Sequence, residues 1–168
     1  TGRLSIRDGA TITVKASGTG RAGNINVVAD SISLDNKSRI DGTTASGTGA
    51  NINLKAGDIR LRRGSQITTD AGKSEGGNIN INSNLLLALP RENSDITANA
   101  RSASGGGVNL NVANVFGLRA VGREEVRSSL GLTDAEFTQL QVNPTSLLPT
   151  SDIAAISQNS GPAFQGTV

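Results

Sequence analysis

The chain repeats itself about every 27 residues, and this period limits its fold more than any other feature. The segments GNINV at 23–27, ANINL at 50–54, GNINI at 77–81 and GVNLN at 107–111 set small, polar and apolar residues in closely similar order. Their first apolar residues, Ile25, Ile52, Ile79 and Val108, are spaced by 27, 27 and 29. A second column runs in register: Ser38-Arg39-Ile40, Ser65-Gln66-Ile67, Ser94-Asp95-Ile96 and Ser151-Asp152-Ile153, with Ala10-Thr11-Ile12 opening the series. A third holds Leu4 and Ile6, Ile32 and Leu34, Ile59 and Leu61, then less regularly Leu85 and Leu87, and Val115.

Each unit thus holds three short segments in which apolar and polar residues alternate. Alternation is a strand signal, because period 2 sets Ile25 and Val27 on one face and Asn24 and Asn26 on the other. Turns rich in Gly, Ser and Thr separate the segments, as at 15–20, 45–49 and 102–107. Three strands in the same order in every unit stack best as coils of a parallel β-helix, with equivalent residues lying above one another. The expected fold is all-β, a parallel β-helix of about five coils at a coil spacing of roughly 4.8 Å.

This architecture explains several residue choices. Gly9, Lys37, Gly64 and Asn93 share a turn column, which suits a backbone position with positive φ. Ala10, Ser38, Ser65, Ser94 and Ser151, two residues before the column Ile, should point into a narrow core. Asn26, Asn53, Asn80 and Asn109 fall in one column, where stacked amides can form a structural hydrogen-bonded ladder; Asn tolerance of nearby turns is the alternative.

One unit breaks the period. Val115 to Ile153 spans 38 positions where other units use eight, so about 30 residues are inserted. The pattern there turns helical, with Thr133 and Glu136 at capping-box spacing and Gly131 suited to a helix C-terminus. The expected organisation is one domain: coils at 1–118, a helical insertion at 119–150 and a return to the last coil at 151–168. The insertion is read either as a recognition element or as an ornament covering the rod.

The chain of 168 residues contains no Cys, His, Met, Trp or Tyr. That excludes Ser-His-Asp and Cys nucleophile chemistry and the usual nitrogen and sulfur metal sites, so neither cofactor nor metal is expected. Sixteen basic against 14 acidic residues give a net charge of +2, too small to imply a partner. There is no signal peptide and no apolar run long enough to span a membrane, and the chain reads as an excerpt of something longer with strand edges near Thr1 and Val168.

Carboxylates are the remaining route to catalysis. Asp95 and Asp152 align on adjacent coils, roughly 5 Å apart, near the separation used by retaining glycosidases. An exposed strand position that accepts any polar residue is the simpler reading of the same pair. Lys37, Arg39, Arg60, Arg62 and Arg63 form a candidate cationic patch for anionic glycans. Without aromatic stacking partners nearby, nucleic-acid binding is not expected. No Gly-Gly-x-Gly-x-Asp calcium loop is present, and the Thr13, Thr68 and Thr97 column is broken by Asp41 and Ala154.

The run LLALPRENSDITANA at 86–100, then VFGL at 115–118, SDIAAIS at 151–157 and GTV at 166–168, resembles the distal region of hemagglutinin-like exoproteins. These are the passengers of bacterial two-partner secretion. The resemblance covers nearly the whole chain and implies a right-handed parallel β-helix. It further implies export through an outer-membrane transporter of a Gram-negative bacterium, a secreted or cell-surface location and an adhesive fibre that meets host or matrix glycans. It supplies no catalytic residue, and the transporter would be met through a domain not visible here. The alternative is a polysaccharide-binding or polysaccharide-degrading enzyme on the same scaffold.

Overall fold

The computed structural model describes residues 2–47, 49–159 and 161–168. Thr1, expected to begin within a coil, and Thr48, in an expected turn, lie outside them. The chain winds through β1 (Arg3–Ile6), β2 (Thr11–Thr13), β3 (Asn24–Val28), β4 (Ser31–Leu34), β5 (Arg39–Asp41), β6 (Asn51–Leu61) and β7 (Gln66–Thr68). It continues through β8 (Asn78–Leu87), β9 (Ile96–Thr97), β10 (Gly107–Phe116) and β11 (Arg119–Ala120). Then come α1 (Arg123–Ser129), α2 (Asp134–Thr138), a 3-10 turn at Pro144–Leu147 and β12 (Asp152–Ala154). No helix among the described residues is long and apolar enough to cross a membrane.

All strand pairings are parallel, and the register follows the repeat. Ile25 pairs with Ile52, Ile52 with Ile79 and Ile79 with Val108 in one sheet. Ile12, Ile40, Ile67, Ile96 and Ile153 stack in the other. The molecule is a parallel β-helix of about four turns. The expected count of about five is slightly high: among the described residues the first coil has no counterpart of β3. A second difference lies within the coil: from β6 onward the first two expected strands run as one. Inward positions switch from even to odd at the corner, where Ile52, Leu54 and Ala56 give way to Ile59 and Leu61, all buried. Gly57 sits at that corner with its N–H donated to the Asp30 carbonyl at 2.9 Å. A Cβ there would come 2.9 Å from that oxygen.

Stacked Ile and Leu fill the rod, as period 2 requires. Ser38, Ser65, Ser94 and Ser151 are buried at the turn entering the second sheet, whereas Ala10, expected inward with them, is exposed, because its coil has a neighbouring coil on one side alone among the described residues. The small Ser hydroxyls satisfy the turn backbone: Asp35 N–H donates to Ser38 Oγ at 2.8 Å, Gly64 N–H to Ser94 Oγ at 3.2 Å and Ser94 N–H to Ser151 Oγ at 3.0 Å. Lys37, Gly9, Gly64 and Asn93 all have positive φ, between 50° and 75°.

Residues 119–150 are not uniformly helical. Arg119 and Ala120 form β11, which pairs with β12 at the end of the second sheet, so β12 is inserted between β11 and β9. The helical part begins at Arg123. Its residues fold back over the outer face of the second sheet, where Val121, Val126, Phe137 and Leu148 bury Ala154 and Ile156. Ile153 and Ala155 point into the rod while Ala154 and Ile156 point into this outer core, so β12 and its continuation are apolar on both faces.

Candidate functional site

The outward face of β3, β6, β8 and β10 carries a groove of about 620 Å³. The strand register builds it from two adjacent columns. One is Asn26, Asn53, Asn80 and Asn109; the other is Val28, Lys55, Asn82 and Asn111. In the first column Asn53 Nδ2 donates to Asn26 Oδ1 at 2.7 Å, Asn80 Nδ2 to Asn53 Oδ1 at 2.8 Å and Asn109 Nδ2 to Asn80 Oδ1 at 3.0 Å. An amide has two donor hydrogens and two acceptor lone pairs. Within the ladder, Asn53 and Asn80 each keep one hydrogen and one lone pair for a ligand. Lys55 is the one charged side chain on the wall and makes no ion pair among the described residues.

A neighbouring ladder was not foreseen from the sequence. Asn51 Nδ2 donates to Asn24 Oδ1 at 3.3 Å and Asn78 Nδ2 to Asn51 Oδ1 at 3.2 Å, and the same oxygens take the backbone N–H of Asn51 and Asn78. Gly107 ends this column. Its signal was visible in the GNIN segments themselves.

The five candidate cations cluster at the turn before the second sheet, but three of them meet carboxylates. Arg62 forms a two-pronged pair with Glu92 at 2.8 and 3.0 Å, and Arg63 pairs with Asp35 and donates its N–H to Glu92. Arg60 lies 3.2 Å from Asp58. The Arg62 hydrogen bonds hold the Glu92 carboxyl below the usual range. Lys37 and Arg39 have no carboxylate partner among the described residues, so of the five only Arg62 and Arg63 join neighbouring coils, while Arg60 pairs within its own strand.

Asp95 and Asp152 do align on adjacent coils, but they do not occupy exposed strand positions. The inserted segment seals them, at 1% and 0% exposure. Asp152 N–H donates to Asp95 Oδ1 at 2.9 Å, and Thr150 Oγ1 donates to Asp152 Oδ2 at 2.7 Å. Arg119 Nε lies 3.0 Å from Asp152 Oδ1, close enough to pair but not aligned as a hydrogen bond. Burial pushes the Asp95 carboxyl up to about 8; the charges of Asp152 and Asp70 add to this, and the Asp152 N–H opposes it. A substrate has no path to this pair in the described structure, so its spacing cannot be used for glycoside cleavage. No protein-family model, curated protein or solved structure matches the chain.

Next to the pair, Asn143 fixes the insertion to the rod. Its Nδ2 donates to Asp70 Oδ2 at 2.7 Å and to Thr97 Oγ1 at 3.1 Å, while its Oδ1 accepts from Asn99 Nδ2 at 2.9 Å. Burial raises the Asp70 carboxyl to about 6 despite hydrogen bonds from Asn99, Thr97, Thr68 and Asn143. Arg123 is a second anchor, 4.8 Å above the Phe137 ring and bound to the Gln158 carbonyl through Nε and Nη2. Arg123 and Asn143 carry no sequence signal as anchors, because Gln158 for the first and Asp70, Thr97 and Asn99 for the second lie 35 to 73 residues away with no repeat to align them.

Proposed function

We propose that this chain is a structural and adhesive segment of an exported bacterial surface fibre of the hemagglutinin-like, two-partner secretion kind. The observation that carries the reading is the uninterrupted parallel stack, which presents an exposed amide-lined face on a stiff rod. Such a rod holds surface groups at fixed coil intervals without moving parts. In this reading the chain has no catalytic role, acts outside the cell and meets glycans by surface contact, with neither nucleic acid nor cofactor. The outer-membrane transporter engages the parent protein through another domain. The degradative alternative loses its best candidates, because Asp95 and Asp152 are covered.

The test is to follow the parent protein in the bacterium that encodes it, with an epitope tag in the exposed turn at 17–20. The expected result is antibody access on intact cells or in the medium, lost when the partner transporter gene is deleted. Retention of the tag inside cells that carry the transporter would overturn the fibre reading. Cleavage of any polysaccharide by the purified chain would overturn its non-catalytic part.

A further inference from the structure

The groove on β3, β6, β8 and β10 restricts the chemistry of what can lie in it. Its column of Asn26, Asn53, Asn80 and Asn109 crosses four coils, about 14 Å at a spacing of roughly 4.8 Å. Along that length Asn53 and Asn80 offer outward N–H and C=O groups at a fixed interval, which suits a chain bearing hydroxyls as both donors and acceptors. No acidic side chain lines the groove, and its one cation, Lys55, has no partner among the described residues. An occupant that places a carboxylate over Lys55 therefore gains an ion pair and meets no acidic side chain on the wall among the described residues. Among the described residues the wall has no aromatic ring, so recognition rests on hydrogen bonds and this charge rather than on stacking. Val28, 75% exposed, borders the groove one coil from Lys55 and gives the occupant an apolar edge.

We propose that the groove binds a linear acidic polysaccharide along the rod, with sugar hydroxyls on the Asn ladder and a uronate carboxylate on Lys55. This inference rests on the adhesive part of the reading above. It moves glycan contact away from the turn cations, most of which already pair with Asp35, Asp58 and Glu92.

The experiment titrates the full chain with a hexameric oligoglucuronate and with its methyl ester, which keeps the hydroxyls and removes the charge. The acid form is expected to bind about fivefold tighter at low salt, the reach of one exposed ion pair, and the difference should shrink as salt rises. Lys55→Gln should bring the acid form down to the ester's affinity. Val28→Glu should abolish binding of both oligomers with an unchanged melting curve; Asn111→Glu serves the same purpose if Val28→Glu fails to fold. Absence of binding to either oligomer at millimolar concentration would overturn the proposal. So would binding that survives Val28→Glu and Lys55→Gln, which would place the contact elsewhere, with Lys37 and Arg39 the next substitutions. Surface display is scored separately: binding without export overturns the fibre reading alone, and export without binding overturns the groove alone.

Discussion

Asp152 donates its backbone N–H to Asp95 Oδ1 at 2.9 Å, so two carboxylates in register on adjacent coils are joined through main chain and sealed beneath the insertion. The other Asp95 oxygen, Oδ2, is buried without a partner. A charge held there costs heavily, and the group responds by keeping its proton. The insertion and the rod are therefore coupled through protonation as well as through the apolar contacts of Phe137, Ala154 and Ile156.

That coupling predicts a pH dependence whose sign is fixed. The folded Asp95 carboxyl titrates near 8 against an ordinary 3.8, so between those values the folded chain holds a proton that the unfolded chain has released. Stability then falls as pH rises through the window, by up to about 1.4 kcal/mol per pH unit for one such group. Asp70 acts in the same direction up to about 6. Glu92 acts oppositely, since its lowered value makes its contribution disappear as pH falls through it. The melting temperature should be higher at pH 5.5 than at pH 8.5, and Asp95→Asn should flatten the slope between pH 6 and 8. An equal slope in the variant would show that another group carries it.

Close backbone stacking predicts a sharp contrast between two glycines. A Cβ on Gly77 would lie 1.7 Å from the Ala50 carbonyl oxygen, and the same turn repeats one coil on, where Gly106 meets the Gly77 oxygen at 1.9 Å. Both obstacles are main chain and cannot rotate away. Gly77→Ala should lose roughly 3 kcal/mol or more, whereas Gly20→Ala, with nothing within 4 Å of the added methyl, should change stability by no more than about 0.5 kcal/mol. Urea denaturation of the two variants decides it, and similar losses would mean that the turn stack is looser than described.

Lys37 has φ at 61°, a left-handed conformation that costs a residue with a side chain about 1–2 kcal/mol. Glycine removes that cost and gives back part of the gain through its freer unfolded chain. Lys37→Gly should therefore stabilise the rod by about 0.5–1 kcal/mol, read as a rise of roughly 2 °C in melting temperature. Arg63→Gly, at φ 50°, should gain less because it also loses the Asp35 ion pair. A fall in melting temperature for Lys37→Gly would mean that the Lys37 side chain stabilises the turn.

The rod was legible because its determinants recur. The Ile columns, the buried Ser column and the left-handed turn positions all show at the repeat spacing, and one coil reports on the next. Even the pairing of the turn cations was within reach, since Asp35 and Arg63 lie 28 residues apart, close to one coil. The fusion of two strands into β6 was hidden because a corner at Gly57 shifts the alternation by one and looks like a strand end. Burial of Asp95 and Asp152 was hidden for a different reason. Their cover comes from a single non-repeated segment, and nothing in a strand's own alternation says that its outer face will be covered. Ala154 was the clue, an apolar residue in a column otherwise held by Thr and Asp, yet it registered only as a break in that column.

Phe137→Ala tests whether that cover is a separate unit. The ring is fully buried between Arg123 and the outer face of β12, in a core that shares no buried residue with the rod interior. Removing it should cost about 3–5 kcal/mol, a loss concentrated in a segment of two short helices with few other apolar anchors. Local opening is then favoured over global unfolding, because the stacked Ile and Leu of the rod are untouched. Trypsin should cut near Arg123 and Arg127 in the variant at concentrations that spare the parent chain, while the β-sheet circular dichroism persists. Opening also returns water to Asp95, so the stability slope between pH 6 and 8 should vanish in the same variant, as it does in Asp95→Asn. Loss of the β-sheet signal together with cleavage would show that insertion and rod unfold as one. Cleavage with the slope intact would mean that the carboxylates are covered by β11 and Arg119 rather than by the helices.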